Sequence, residues 1–454
     1  MRDIRIQDTL TGQVRPLEPR DPGRVGIYAC GPTVYAPIHV GNARPFVVFS
    51  LFKRFLEHEG YDVDLVINVT DVNDKIYDAA RREGVPSEAL ARQMTERYVA
   101  DTDRLALGRP DHEPKATETI AAIEDLIQAL INGEHAYEAD GDVYFRVRSY
   151  PDYGKLSNRP LEDMSQGEGD DSATRKESPQ DFALWKGHKE GEDTAWDAPW
   201  GRGRPGWHIE CSAMAEVILG LDFDVHGGGS DLIFPHHENE IAQTEAGRGQ
   251  RLARLWMHNG MLQMADEKMA KSVGNVTSLR DALEAAGRDA LLMYFVSGHY
   301  RQPIAFSEEA LAEAGRAVDR VRELARRLDR EAPAPAAIEP YADRFFDALA
   351  DDFNTPAARA ALFDWISEAN RRLDAGEAVG VGALEDMLRV FGLENVLDVE
   401  EEAADPEAER LLREREEARA ARDFGAADAK RDELAARGWE VRDTPDGPRL
   451  VRAG

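Results

Sequence analysis

The stretch Val25–Val69 decides the fold; it opens with VGIYACGPTVYAPIHVGNARPF and closes with DVDLVINV. Val25–Cys30 is a short apolar run with strand character, and a loop rich in Gly and Pro follows it. Over about 42–58 the apolar residues recur at the spacing of a mostly buried helix. Asp62–Val69 then has the composition of a second strand. Strand, helix and strand at this spacing form a βαβ unit, which predicts a parallel sheet.

Composition changes along the chain predict how this unit is embedded. We expect an α/β fold in which a Rossmann-like catalytic domain is built from residues 1–111 and 206–306 and interrupted by an inserted connective domain at 112–205. After about residue 307, Ala, Leu, Arg and Glu dominate, which favours an α-helical bundle over 307–400. A small C-terminal domain over 401–454 is expected to hold two helices and a closing hairpin.

Overall composition excludes several protein classes. The chain has 454 residues, 42% of them hydrophobic, so global disorder is excluded. With two Cys a disulfide framework is excluded as well. The longest apolar runs are far too short to span a membrane. The opening MRDIRIQDTL lacks an apolar signal region, which predicts a cytoplasmic protein.

The charge is strongly acidic. Lys and Arg total 56 and Asp and Glu total 86, so the formal net charge is −30. Ten of the basic residues are Lys, which leaves 46 Arg. An acidic, Lys-poor surface predicts adaptation to concentrated salt, where screening removes self-repulsion; a GC-rich genome is the alternative explanation. Taken alone, the charge argues against binding to nucleic acid, so the motifs must decide the partner.

One set of residues could bind a metal. Cys30 ends the first strand, Cys211 lies in GWHIECSAM, and HHENE contains His236, His237 and Glu240. His236 and Glu240 are four residues apart and would share a helix face, whereas His237 is three residues from Glu240. Two thiolates, an imidazole and a carboxylate would make a four-ligand zinc site. Spacing alone favours the plainer interpretation, two buried thiols beside a helix-surface His and Glu, because the Cys residues are far apart in sequence.

A second set of residues could bind phosphate. No Walker A motif or clear G-x-G-x-x-G fingerprint is present. Instead His39, Gly41 and Asn42 open the first predicted helix, and a helix N-terminus attracts anions. Lys268 and Lys271 lie in KMAKSVGN, and two lysines so close together in a Lys-poor chain favour a role in neutralising a triphosphate. A solvated turn is the alternative.

Together these motifs resemble a known family. HVGN and KMAKS are similar to the paired HIGH and KMSKS signatures of class I aminoacyl-tRNA synthetases. Within that class, the chain most resembles the cysteinyl-tRNA synthetase family, and the likeness covers nearly the whole chain except an acidic loop. The motifs that carry it are YACGPTVYAPIHVGNARPF, NVTDVNDK, RPGWHIECSAM, FDVHGGGSDLIFPHHENEIAQ, EKMAKSVGN, DDFNTP, ARDFGAADAKRDEL and VRDTPDGPRL.

The resemblance implies a role for each candidate residue. Zinc ligands would be Cys30, Cys211, His236 and Glu240; contacts to ATP would be His39, Gly41, Asn42, Gly228, Asp231, Lys268 and Lys271; residues near the amino-acid pocket would be Thr70, Trp207 and His226. His39, Asn42, Lys268 and Lys271 would be catalytic. Two positions depart from the family pattern. Asn42 replaces the second His of HIGH and cannot carry a charge, and Ala270 replaces the Ser of KMSKS and removes a hydroxyl.

The resemblance also implies an activity: ATP activates L-cysteine to cysteinyl adenylate, and the cysteinyl group passes to tRNA(Cys). It implies one Zn²⁺ per subunit that contacts the substrate sulfur, Mg²⁺ accompanying ATP, and a C-terminal domain on the anticodon side. We expect a monomer. Two other functions stay open, a cysteine ligase of mycothiol synthesis that acts on an amino sugar, and a non-catalytic tRNA-binding paralogue. The arginines proposed for RNA are Arg410, Arg413, Arg415, Arg419, Arg422 and Arg431, and pairing with nearby Glu is the alternative.

Overall fold

A computed structural model describes residues 2–164, 175–264, 267–268, 277–330, 332–333, 335, 337–398, 406–444 and 447–452. The chain divides into two compact units, residues 1–397 and 398–454, which are described separately. No helix in the described ranges is long and apolar enough to cross a bilayer.

The N-terminal part contains the βαβ unit that the sequence predicts. Its elements are β1 (Arg5–Asp8), β2 (Gln13–Pro16), β3 (Arg24–Ala29), α1 (Val40–His58) and β4 (Asp62–Ile67). The first two strands form an antiparallel hairpin. β3 and β4 pair in parallel, which confirms the predicted unit. Helix α1 is buried along most of its length because its Phe, Val and Leu side chains face the sheet and the helices beyond it.

Next come three helices and an antiparallel sheet with a core of its own. The helices are α2 (Asp74–Glu83), α3 (Ser87–Asp103) and α4 (Ile120–Asn132). The strands are β5 (Ala136–Ala139), β6 (Asp142–Phe145), β7 (Phe182–Gly187), β8 (Trp196–Ala198) and β9 (Gly201–Pro205). They pair in the order β5-β6-β7-β9-β8, and Phe145, Phe182 and Trp185 fill the core beside them. This sheet lies within the sequence range predicted to be an insertion.

The chain then returns to the parallel sheet through α5 (Trp207–Leu219), β10 (Phe223–Gly229), α6 (Glu238–Arg248) and β11 (Ala253–Asn259). The sheet order is β11-β10-β3-β4, and every neighbouring pair is parallel. All four carboxyl ends therefore meet at one edge, which is where ligands bind in open α/β sheets.

A smaller sheet and two helices follow: β12 (Leu262–Met264), β13 (Glu267–Lys268), α7 (Leu279–Ala286), α8 (Arg288–Phe295) and β14 (Ile304–Phe306). β12 pairs antiparallel with β13 and parallel with β14. The predicted KMAKS motif begins in β13, but residues 269–276 lie outside the described part of the chain.

The helical bundle comprises α9 (Glu308–Ala325), α10 (Glu339–Ala350), α11 (Thr355–Asp374) and α12 (Gly382–Val390). Its apolar side chains belong to the same continuous core as those of α1. Phe353, for example, meets Phe52 of α1 edge to face, with ring centroids 5.2 Å apart. The bundle and the parallel sheet thus share one core rather than two.

The second unit holds α13 (Pro406–Ala420), α14 (Phe424–Ala436), β15 (Trp439–Thr444) and β16 (Gly447–Arg452). The two strands pair antiparallel, which confirms the predicted hairpin; residues 445–446 of its turn lie outside the described ranges. A small core of Ala408, Leu411, Leu434 and Trp439 holds this unit together.

Candidate active site

A cleft of about 260 Å³ opens at the carboxyl edge of the parallel sheet. It joins the ends of β3, β10 and β11 to the N-terminus of α1. Many of the candidate residues line it, namely Cys30, His39, Gly41, Asn42, Trp207 and Asp231. The structure therefore brings described residues of both predicted sets to one cleft, although they come from distant parts of the sequence.

A buried cluster of side chains that could bind a metal lies at the Cys30 end of the cleft. The thiols of Cys30 and Cys211 are 3.8 Å apart, and Cys30 Sγ lies 3.6 Å from Glu240 Oε1. His236 Nε2 is 3.1 Å from the same carboxylate oxygen. The four donor atoms all fall within 4.8 Å of one another, and all four residues are buried. This arrangement brings together the four predicted ligands.

The same cluster offers a second donor set. Cys30 and Glu240 also combine with His226 and His237 into a group whose donor atoms lie within 4.8 Å. His237 Nε2 is 3.3 Å from Cys30 Sγ, and His226 Nε2 is 2.8 Å from Glu240 Oε2. Because Zn²⁺ usually takes four ligands, one such ion would use only one of the two sets. The set with two thiols and His236 matches the preference of Zn²⁺ for sulfur better.

Two outer histidines orient this cluster. His208 Nδ1 lies 3.0 Å from His236 Nδ1, and His258 Nε2 lies 2.7 Å from His237 Nδ1. His258 is itself held by Thr9, whose hydroxyl is 2.8 Å from His258 Nδ1. Such contacts to the far ring nitrogen fix a ligand's tautomer and orientation. His208 and His258 were not predicted from the sequence; the available signal was that the motifs GWHIEC and WMHNG each carry one of only eleven histidines.

Burial sets the protonation of the cluster in the absence of an ion. Burial raises the pKa of the Cys30 thiol well above its usual value, and the contacts with Cys211 and Glu240 raise it further. The Cys30 contact lowers the pKa of Cys211, but burial and Glu240 outweigh it and the net shift is upward. Burial lowers the pKa of His236 to about 3. Neutral imidazole is the form that binds metals, whereas the thiols need a cation beside them to ionise.

Two residues of the HVGN motif cap the N-terminus of α1. Asn42 N–H donates to His39 Nδ1 at 3.2 Å, and His39 N–H donates to Asn42 Oδ1 at 3.3 Å. This reciprocal capping holds the imidazole over the first turn of the helix. Gly41 is required for it, because a Cβ at that position would lie 2.8 Å from the His39 ring. Asn42 thus has a structural partner as well as a place in the cleft.

The flanks of the KMAKS motif lie beside this helix terminus. Val40 N–H donates to Thr277 O at 3.1 Å, and Leu279 N–H donates to Ile38 O at 3.1 Å. The backbone of Lys268 pairs with Gln263 in β12. Lys271 and Ala270 lie outside the described residues, as does the side chain of Lys268. The described residues nevertheless bring the segment after the motif into contact with the HVGN motif.

The remaining candidates lie at different depths. Asp231 is exposed at the rim of the cleft, just beyond the buried Gly228. Trp207 forms part of the wall. Thr70 and His226 are buried and are not among the described residues that line the cleft. Thr70 supports the wall from behind, since its N–H donates to Pro32 O and its carbonyl accepts from Val34 N–H.

Comparisons with known proteins cover the whole chain. Residues 16–316 match the family model described as "tRNA synthetases class I (C) catalytic domain", 344–397 match a DALR domain, and 401–448 match the "Cysteinyl-tRNA ligase anticodon binding domain". A cysteine–tRNA ligase of Brevibacillus brevis is 44% identical over 468 residues, covering 99% of each chain. One from Halorhodospira halophila is 46% identical over 460 residues, again covering 99% of each chain.

Solved structures support the fold. The chain is similar to Mycobacterium tuberculosis methionyl-tRNA synthetase in complex with methionyl-adenylate, with a TM-score of 0.61 and 18% sequence identity. That match covers 82% of this chain and 88% of the other. At this level of identity the likeness establishes a class I synthetase architecture and nothing narrower.

Proposed function

Since this chain belongs to the cysteinyl-tRNA synthetase family of class I tRNA ligases, we propose that it recognises L-cysteine through a zinc site at Cys30, activates it with ATP and transfers it to tRNA(Cys). The observation that carries the proposal is the cluster of Cys30, Cys211, His236 and Glu240 at the end of a cleft that also reaches the HVGN helix.

The donor set fits zinc. Two thiols, an imidazole and a carboxylate are the ligand types that Zn²⁺ prefers, and their mutual distances suit one small ion. Burial raises the pKa of both thiols, so a cation bound beside them would be needed to hold them as thiolates. Bound there, Zn²⁺ would supply a Lewis acid that favours a thiolate ligand over a hydroxyl.

This site answers a specificity problem. Cysteine and serine differ by one atom, and the size of a pocket separates such a pair poorly. A free thiol has a pKa of about 8.5 and ionises far more readily than an alcohol. Cys30 lines the cleft, whereas Cys211 lies behind it, so the cluster faces the substrate on one side only. Trp207 closes the wall next to His236 and limits the space for a side chain.

We assign ATP to the part of the cleft beyond Cys30. The N-terminus of α1, with His39 and Asn42, would face the phosphates, because the positive end of the helix dipole attracts anions. Lys268 and Lys271 would stabilise the charge that develops on the phosphates, and Mg²⁺ would accompany ATP. Asp231, next to β10, would receive the ribose. Neither step of the reaction requires a protein nucleophile, so positioning and charge carry the catalysis.

The second unit is proposed to bind the anticodon side of tRNA. Most of its candidate arginines pair with acids of their own helices; Arg410, for instance, pairs with Glu407 and Glu414. Arg422 has no ion pair within the described ranges, and the neighbouring Phe424 is 65% exposed. An exposed aromatic beside a cation can stack on an unpaired base. Charge pairing therefore accounts for most of the arginines, and Phe424 becomes the favoured RNA contact.

The two other functions are not favoured. An amino-sugar ligase has no use for the anticodon-binding segment at 401–448, and a non-catalytic paralogue would not need an intact metal cluster. We further propose that the enzyme works as a monomer in the cytoplasm.

Amino-acid-dependent exchange of pyrophosphate into ATP tests the function directly. Purified protein should catalyse exchange with L-cysteine and not with L-serine, and it should charge tRNA(Cys). Exchange that is equally fast with both amino acids would refute recognition through the sulfur. Exchange with cysteine but charging only of an amino sugar would instead support the first alternative.

A further inference from the structure

Arg44 lies in α1, five residues after the capping residue His39, and its guanidinium is buried. A buried charge normally requires an ionic partner. Burial lowers the pKa of Arg44 to about 10, so the group remains charged at neutral pH. Its hydrogen bonds, however, all go to main-chain carbonyl oxygens, from two segments that are close to the active site.

The guanidinium donates hydrogen bonds to five carbonyl oxygens. Nη1 donates to Gly260 O at 2.6 Å and to Met261 O at 3.1 Å. Nη2 donates to His299 O at 3.2 Å, Tyr300 O at 3.1 Å and Gln302 O at 2.8 Å. Only the planar fork of an arginine can bind so many acceptors at once; a lysine offers three donors from one atom.

The two segments lead into the sheet that carries the first motif lysine. Met261 directly precedes β12, which pairs with β13 at Lys268, and Gln302 precedes β14, which pairs with β12. The segments are in close contact at Gly260, where a Cβ would lie 2.4 Å from the carbonyl of Gln302. Arg44 thus bonds to the junction that sets the position of β12 and β13 relative to α1.

Asp352 of the DDFNTP motif binds the segment 299–302 on the side away from Arg44. Tyr300 Oη donates to Asp352 Oδ1 at 2.8 Å, and Arg301 Nε donates to Asp352 Oδ2 at 2.7 Å. Asp352 and Phe353 both have left-handed backbone angles, with φ of 61° and 44°. Two such residues in succession are unusual outside glycine and indicate a conformation that the surrounding contacts enforce. The segment 299–302 is therefore fixed between Arg44 and Asp352.

We propose that Arg44 is a positioning residue for adenylate formation, which holds the strands that lead to Lys268 in register with α1, the helix that His39 caps. The inference rests on the proposed function. It assigns Arg44 no contact with substrate; the residue acts through the backbone of Gly260 and Met261. A displacement of about 1 Å in such a framework can cost about 10²-fold in rate.

Arg44→Lys keeps the charge and removes the fork. In cysteine-dependent pyrophosphate exchange we expect kcat to fall by about 10²-fold, while the KM for cysteine and the zinc content stay close to wild type. Arg288→Lys is the matched control, because Arg288 also donates to main-chain carbonyls, those of Leu105 and Gly392, which do not line the cleft. The control should keep its kcat.

Several outcomes would overturn the inference. An unchanged kcat in folded Arg44→Lys would do so. A lower Tm with full kcat at reduced temperature would make Arg44 a residue of stability only. If Arg44→Lys does not fold, Asp352→Asn releases the same segment from its other side, since Asn tolerates the left-handed backbone but lacks the charge that holds Arg301; an unchanged kcat there would also overturn it. Absence of exchange in the wild-type protein would instead count against the proposed function.

Discussion

The indole of Trp207 stacks on the imidazole of His236, with ring centroids 4.2 Å apart and planes inclined by 20°. One residue belongs to the wall of the cleft and the other to the proposed zinc ligands. The contact therefore joins the space that would hold the substrate side chain to the group that would recognise it.

Replacing Trp207 should affect both zinc binding and the KM for cysteine. Trp207→Ala removes the stack, so we expect faster loss of zinc to a chelator and a higher KM for cysteine. Loss of outer contacts to a metal ligand typically costs about 10- to 100-fold in metal affinity. For Trp207→Phe we expect a rate of zinc loss and a KM for cysteine between those of Trp207→Ala and the wild type. Trp196→Ala, in the insertion sheet, is the control. If Trp207→Ala loses zinc at the wild-type rate and keeps the wild-type KM for cysteine, Trp207 contributes neither to zinc binding nor to recognition of cysteine.

Lys271 should act on the chemical step. Lys271→Ala is expected to lower the kcat of pyrophosphate exchange by about 10²- to 10³-fold, since charge develops on the phosphates in the transition state. Lys189→Ala, which alters an exposed lysine of the insertion, should leave the rate unchanged. A wild-type kcat in Lys271→Ala would reject the assignment.

Removal of the second unit should separate activation from charging. A cut after Leu397 leaves the first unit and its core intact, whereas a cut near Glu331 would remove Phe353 and the bundle helices from the core shared with α1. The shortened chain should keep cysteine-dependent exchange and lose tRNA charging, chiefly through KM. Circular dichroism must first show that it is folded.

A point substitution tests the same surface without a truncation. Phe424→Ala should weaken tRNA binding by about 1–3 kcal/mol if one base stacks on the ring, with exchange unaffected. Full charging by both the folded truncation and Phe424→Ala would show that this unit does not bind the tRNA.

Salt should stabilise the protein. The net charge of −30 makes self-repulsion strongest when it is unscreened. Added salt also weakens the many surface ion pairs, but each of these contributes little. We therefore expect the Tm to rise between about 0.05 and 2 M KCl, over which the screening length falls severalfold. A Tm that is flat or falls over this range would favour a genomic origin of the composition.

Local sequence patterns were enough to predict the βαβ unit and the C-terminal hairpin. The β3–α1–β4 unit depends on neighbouring residues whose periodicity is visible in sequence, and so does the terminal hairpin. Helices Asp74–Glu83 and Ser87–Asp103 were not predicted, because their buried faces mix small or polar residues with a few isolated larger apolar side chains.

The site needed information that spacing does not contain. Cys30 and Cys211 are separated by 181 positions, and only the packing of α5 and α6 on the parallel sheet places their thiols 3.8 Å apart. Family motifs supplied the ligand set that spacing alone did not favour. His208, His258 and Arg44 act through contacts between distant elements, so no sequence interval marks them.

The metal's sulfur coordination, measured by zinc X-ray absorption, tests the central claim most directly. The ligand set with Cys30 and Cys211 predicts two sulfur neighbours in the protein alone, whereas the set with His226 and His237 predicts one. Adding L-cysteine should add one sulfur, and adding L-serine should add none. A spectrum that cysteine leaves unchanged, from protein that exchanges pyrophosphate with cysteine, would contradict recognition of the substrate through zinc.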